Sequence, residues 1–225
     1  MTQIEYGPFA ARCREAAVSA WKASHEHPFL AALLDGTLDD ERFRFYQMQD
    51  ARYLEAFADA CSLISVRHAD PEAKLWFIDA ARLSIVVERQ LHEEYGRELD
   101  YTAADIRSLT LTPNNRAYAN HMVALAQTGS LVEALAALTP CPWLYTDIGM
   151  QLGDIDPDHR WANWLRTYAD PGFVTYTAEL LQYLEQAAVN AGGRELDRAE
   201  EAFVTSVRYE FMFWDQAWTR QDWPV

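Results

Sequence analysis

The sequence is poor in several things, and each shortage removes a class of function. Of its 225 residues only three are cysteine, Cys13, Cys61 and Cys141, too few and too scattered for a disulfide framework or a thiolate zinc site. Any chemistry they have is that of single thiols. No stretch reaches the roughly 18 apolar residues that a membrane span needs. The first residues, MTQIEYGPFAARCREAA, lack the basic start and apolar run of a secretory leader, so the expected location is the cytoplasm. Positive charge is scarce too: 19 Lys and Arg stand against 34 Asp and Glu, and a formal charge of -15 repels phosphate backbones and anionic lipid. Neither nucleic acid nor a membrane is an expected partner, whereas a neutral or cationic small molecule approaches without penalty. There is no low-complexity linker, no repeat and no alternating strand pattern.

What the chain does have is aromatic and helical. Eight Trp, eleven Tyr and ten Phe exceed what a monomer surface comfortably displays, so some are expected to line a pocket or a subunit interface. Breakers fall at Gly36, Pro71, Pro113, Ser130, Pro157, Pro171 and Gly192-Gly193, and between them apolar residues recur at spacings of three and four. Helices are expected at about 8–24, 38–66, 71–95, 115–128, 131–152, 158–168, 172–191 and 195–220. Thr37 with Asp40, Ser130 with Glu133, and Asp70-Pro71 carry the chemistry of helix starts. The fold class is all-α, one helical-bundle domain over 1–225. The tail FWDQAWTRQDW reads as exposed, which points to a homo-oligomer.

Three helices carry a polar residue in the middle of an apolar stripe. On the first, Asp50 follows Phe43 and Tyr46 and precedes Tyr53, Phe57 and Cys61. A carboxylate removed from water there costs several kcal/mol unless donors or a cation satisfy it, so it either anchors a ligand or bridges helices. On the last, Glu210 lies among Phe203, Val207, Phe213 and Ala217, where burial raises a carboxyl pKa toward the range of proton transfer. The plainer alternative is a pair with Arg208. On the helix opened by Ser130, Cys141 shares a stripe with Ala134, Leu138, Tyr145, Ile148 and Leu152. Pro140 and Pro142 delete amides on either side and predict a local bend at the thiol. A lone buried cysteine is ordinarily a small hydrophobe, but one thiol and two carboxylates on three aromatic-rich helices make a plausible pocket. Tyr118 with Met122, one turn apart, and Tyr168 stand on further helices. Cys13 and Cys61 have no acid or base beside them in sequence and read as structural.

The motifs QMQDARYL (Gln47 to Leu54), ERQLH (Glu88 to His92), YANHM (Tyr118 to Met122), PCPWLY (Pro140 to Tyr145) and YEFMFW (Tyr209 to Trp214) occur in an order that resembles the thiaminase II, or TenA, family. The resemblance runs from HPFL (His27 to Leu30) through DGTL (Asp35 to Leu38) to Trp214, and includes the cysteine-containing branch of the family. It implies a haem-oxygenase-like helical bundle, a homotetramer without metal, haem or other cofactor. It also implies a hydrolase of thiamin salvage, an aminopyrimidine aminohydrolase that forms hydroxymethylpyrimidine. The matching positions assign Cys141 as nucleophile, Glu210 as acid and base, Asp50 as pyrimidine anchor, and Tyr53, Tyr118, Tyr145 and Tyr168 as substrate-binding pocket residues. Ala51-Arg52 and Phe211 depart from the family's commoner aromatic residues, at positions that point away from the carboxylates on their helices.

Two other readings remain at this point. A metal-dependent oxygenase would use Glu88 and His92, spaced i, i+4, with Asp50, although no second Glu-x-x-His pair is present to complete a di-iron site. A non-catalytic pyrimidine or thiamin binder would have no need of Cys141 and both carboxylates together.

Overall fold

A computed structural model describes residues 4–225, except for the side chains of residues 87–93. The described residues form twelve helices and no strand: α1 (Pro8–Ala16), α2 (Val18–His25), α3 (Pro28–Leu34), α4 (Asp40–Ser65), α5 (Pro71–Glu98), α6 (Ala103–Ser108), α7 (Pro113–Thr128), α8 (Leu131–Leu138), α9 (Pro140–Gln151), α10 (Ala162–Ala169), α11 (Pro171–Val189) and α12 (Gly193–Thr219). The expected helix over 8–24 is broken at Ala17. The short α3 and α6 have too few turns to show a period and were not anticipated.

Starts follow a common chemistry. Asp70, Thr112 and Asp170 each accept from an amide of the first turn, while a proline follows where its missing N–H costs nothing. Ser130 and Glu133 close a capping box on α8 as expected. Thr37 does not cap α4. Asp39 accepts from the Arg42 amide at 2.9 Å, because it directly precedes the first turn, and the Thr37 hydroxyl donates to Asp35 instead.

The long α4 lies along α5 and α7, and α12 lies across α8, α2 and α9, so these helices enclose the core between them. Trp21, Trp143, Trp161, Trp164 and Trp214 are all fully buried in it. Burying a side chain of this kind stabilises the fold by about 3 kcal/mol or more. The C-terminal aromatics therefore belong to the chain's own core: Phe213, Trp214 and Ala217 are buried, and only Trp223 near the end of the tail is exposed. The tail was expected to be exposed because its tryptophans are dense in sequence. Phe213, Trp214 and Ala217, three and four residues apart, instead lie on the inward face of α12, with Trp218 half-buried beside them.

Candidate functional site

The expected helix over 131–152 is two helices, with Thr139 between them in helical dihedrals, φ -63 and ψ -36. Pro140 and Pro142 lack the amides that would have met the carbonyls four residues back. The next available amide, of Trp143, reaches the Thr139 carbonyl at a long 3.3 Å. Pinning hydroxyls hold the segment: Thr139 donates to the Leu135 carbonyl at 2.6 Å, and Thr146 to that of Pro142 at 2.7 Å. Ala134, Leu138, Tyr145 and Ile148 are buried along this run as the stripe predicted, while Cys141 is only half-buried. The thiol stands on the wall of a cavity of about 730 Å³.

Asp50 and Phe57 of α4 line the same cavity, as do Tyr145 of α9 and Tyr168 of α10. Asp50 is 6% exposed, and its charge bears on Tyr145, whose hydroxyl lies 3.0 Å from that of Tyr46. The rings of Tyr145 and Tyr168 are 4.7 Å apart, with Trp214 behind the first at 5.2 Å. Burial, before any neighbouring charge, holds the Tyr145 phenol well above its ordinary pKa and so keeps it a neutral donor.

Glu210 sits one layer behind this wall, 2% exposed. It is not paired with Arg208, which is exposed. Its partners are Tyr118, whose hydroxyl donates to Oε1 at 2.6 Å, and the Cys141 thiol. The Tyr53 ring packs on that of Tyr118 with centroids 4.8 Å apart, and its hydroxyl donates to Met122 Sδ at 3.4 Å. Burial pushes the Glu210 carboxyl up to about 7, and the hydrogen bonds from Tyr118 and Cys141 only partly oppose it. A carboxyl poised near neutrality against a thiol exchanges a proton with it at little cost. The other two cysteines are inert by comparison. Burial raises Cys13 to about 12 and Cys61 further still, so neither yields a thiolate near neutral pH.

Thus one region gathers Cys141, Asp50, Tyr145 and Tyr168 on the cavity wall, with Glu210, its donor Tyr118 and the adjacent Tyr53 in a row behind the thiol. Phe211 points away from this region as its place on α12 predicted, edge-on to His27 at 5.1 Å. Arg52 also faces elsewhere, toward Glu55 and the end of α6. The side chains of Glu88 and His92, the alternative metal pair, lie outside the described residues. Sequence reasoning placed Tyr46 on the Asp50 stripe without giving it a role, and missed Asn163, Phe173 and Tyr176. A signal existed for the last two, which stand three apart just after the Asp170-Pro171 helix start and so share one face of α11.

Comparison with known proteins follows the same outline. A profile of the TENA/THI-4/PQQC family matches residues 14–220. A protein of Halalkalibacterium halodurans named aminopyrimidine aminohydrolase is 32% identical over 218 residues, which span 96% of this chain and 97% of its own. A TenA homologue from P. horikoshii OT3 superposes with a TM-score of 0.85 at 30% identity, covering 94% of this chain and 98% of that one. Haem oxygenase-1 of Synechocystis is only 12% identical, with a TM-score of 0.57 over 92% of this chain and 91% of its own, and shares the fold alone. The bundle is thus haem-oxygenase-like. A family profile over this much of the sequence, and a relative nearly one-third identical across 96% of it, show that the chain belongs to the TENA/THI-4/PQQC family.

Proposed function

We propose that the chain is an aminopyrimidine aminohydrolase of thiamin salvage. It replaces the amine of 4-amino-5-aminomethyl-2-methylpyrimidine by hydroxyl, and it cleaves thiamin to the same hydroxymethylpyrimidine and a thiazole. The observation that carries the reading is the Cys141 and Glu210 pair, a cavity-wall thiol hydrogen-bonded to a buried carboxyl held near neutrality. The name of the Halalkalibacterium halodurans relative supports the same reaction class.

An aminopyrimidine does not release a group from its exocyclic methylene while the ring is aromatic. Glu210 takes the Cys141 proton and passes it to a ring nitrogen as the sulfur bonds to the adjacent ring carbon, beside the substituted one. The electron pair released into the ring then expels ammonia from the protonated amine, or neutral thiazole from thiamin. Water adds to the methylene and gives up one proton, which the departing ammonia takes or, where thiazole has left, passes to solvent. The ring nitrogen returns its proton to Glu210, the carbon–sulfur bond breaks to a thiolate that takes the proton back from Glu210, and aromaticity is restored. Asp50 accepts from the exocyclic amine and holds the ring against the sulfur, while Tyr53, Tyr118, Tyr145 and Tyr168 shape and orient the site.

On this reading 1–225 acts as one domain in a cytoplasmic homotetramer. The exposed apolar face of α5, with Leu75 at 55% and Ile78 at 51%, is surface that such an assembly covers. The test is turnover by purified, chelator-treated protein offered the aminomethylpyrimidine beside thiamin. Hydroxymethylpyrimidine is expected from both, and its absence from both overturns the reading.

A further inference from the structure

The cavity is larger than the reacting ring requires. Its volume of about 730 Å³ lies in the range that encloses drug-sized ligands, whereas the pyrimidine is a single small heterocycle. Exposure divides the lining. Asp50, Phe57, Tyr145 and Tyr168 are buried and form the floor, while Glu94, Arg166 and Asp170 are exposed and form the mouth. Between them stand the half-buried Phe173 and Tyr176 of α11.

These two rings continue the aromatic wall outward. Phe173 lies edge-on to Tyr168 with centroids 5.2 Å apart, and Tyr176 lies 6.0 Å beyond it, nearly parallel at 27°. Trp76 stacks on Tyr176 at 5.1 Å and 10°, a contact of the rings that leaves the hydroxyl unengaged. That hydroxyl has no hydrogen-bond partner among the described residues. Burial chiefly, then the Cys61 and Cys141 sulfurs, keep the phenol neutral, and its ring lines the same cavity as Cys141. Charge near these rings is negative: among the described lining residues Asp50, Glu94 and Asp170 face the single cation Arg166, whose guanidinium donates to Asn163 Oδ1 at 3.1 Å.

We propose that Phe173 and Tyr176 build a second subsite, for the cationic group carried on the substrate's exocyclic methylene, either an ammonium or an aromatic heterocyclic cation. The inference rests on the aminopyrimidine reading, because both substrates named there are cationic at that carbon and the hydroxymethyl product is neutral. The Phe173 face attracts a cation through its quadrupole. The Tyr176 oxygen offers a lone pair to an ammonium N–H. A subsite of this kind favours substrate over product at the one position where they differ, and so aids product release.

The test uses calorimetric Kd values in a Cys141→Ser background, which holds the ligands unreacted. The probes are the aminomethylpyrimidine and its hydroxymethyl counterpart. Phe173→Leu keeps the apolar volume without the π face, and Tyr176→Phe removes only the oxygen. Each is expected to weaken binding of the aminomethyl compound about tenfold while the hydroxymethyl compound changes by less than about twofold. Equal weakening of both ligands, or no change in either variant, overturns the subsite. If the background protein binds neither pyrimidine, the aminopyrimidine reading fails and takes the subsite with it.

Discussion

Among single residues Glu210 stands out, because its folded environment opposes the form it holds in the unfolded chain at neutral pH. Its carboxyl lies at about 7 in the fold against an ordinary 4.5. Between those values the folded protein carries a proton that the unfolded chain has released, so stability falls as pH rises through that window. Each unit is worth about 1.4 kcal/mol. Glu210→Gln, which keeps an acceptor for Tyr118 but cannot ionise, is expected to match the parent near pH 4. It gains up to about 3 kcal/mol of relative stability by pH 8. The same substitution lowers turnover about 100-fold or more, because a proton donor and acceptor is lost. Urea unfolding at the two pH values, alongside initial rates, checks both; a stability difference that does not grow with pH contradicts the buried, raised carboxyl. That Glu210 is buried was legible from its aromatic neighbours in VRYEFMFW. That it meets Tyr118 and Cys141 rather than Arg208 was not, since a helical stripe fixes a residue's face but not its partner on another helix.

At the element scale the decisive joint is where α9 passes α10. Gly149 of α9 lies so close to the Tyr168 backbone that an added Cβ would fall 2.0 Å from its carbonyl oxygen. That approach brings Tyr168 against Tyr145 and completes the cavity wall. Gly149→Ala is therefore expected to destabilise the fold by about 1 to 3 kcal/mol and to weaken pyrimidine binding by displacing Tyr168. Gly193→Ala, where a Cβ meets nothing within 4 Å, is the neutral control. Thermal melts and binding of hydroxymethylpyrimidine by the two variants measure the contrast, and equal behaviour contradicts the close-packing argument. The long helices were legible because apolar periodicity and proline-led starts coincide, as at Asp70-Pro71. The break at Thr139 was foreseen only as a bend, and α10 begins later than its sequence suggests, because the 152–161 segment ends α9 and turns before Ala162. Close backbone approaches such as that at Gly149 leave no periodic trace at all.

At the scale of the whole molecule, composition separated surface from core imperfectly. The charge of -15 and the lack of any long apolar run pointed toward a small cationic or neutral ligand, in keeping with a cavity where carboxylates outnumber the one arginine among the described lining residues. Among the described residues of the chain no helix is long and apolar enough to cross a membrane. The aromatic surplus, by contrast, is largely consumed by the chain's own core, so it no longer argues for assembly. The apolar face of α5 takes over that argument. Light scattering at micromolar concentration is expected to give a mass near four times 25.8 kDa, and Ile78→Asp is expected to reduce it. A mass of one chain for the unmodified protein contradicts the tetramer.

The central claim is that Cys141 is the nucleophile, and the most direct test is hydrolysis of the aminomethylpyrimidine by Cys141→Ser with Cys13 and Cys61 left in place. A serine hydroxyl is far less ionised than a thiol and a poorer nucleophile. This variant is expected to fold and to bind the pyrimidine as the parent does, yet to release no hydroxymethylpyrimidine. Turnover near that of the unmodified protein would contradict it.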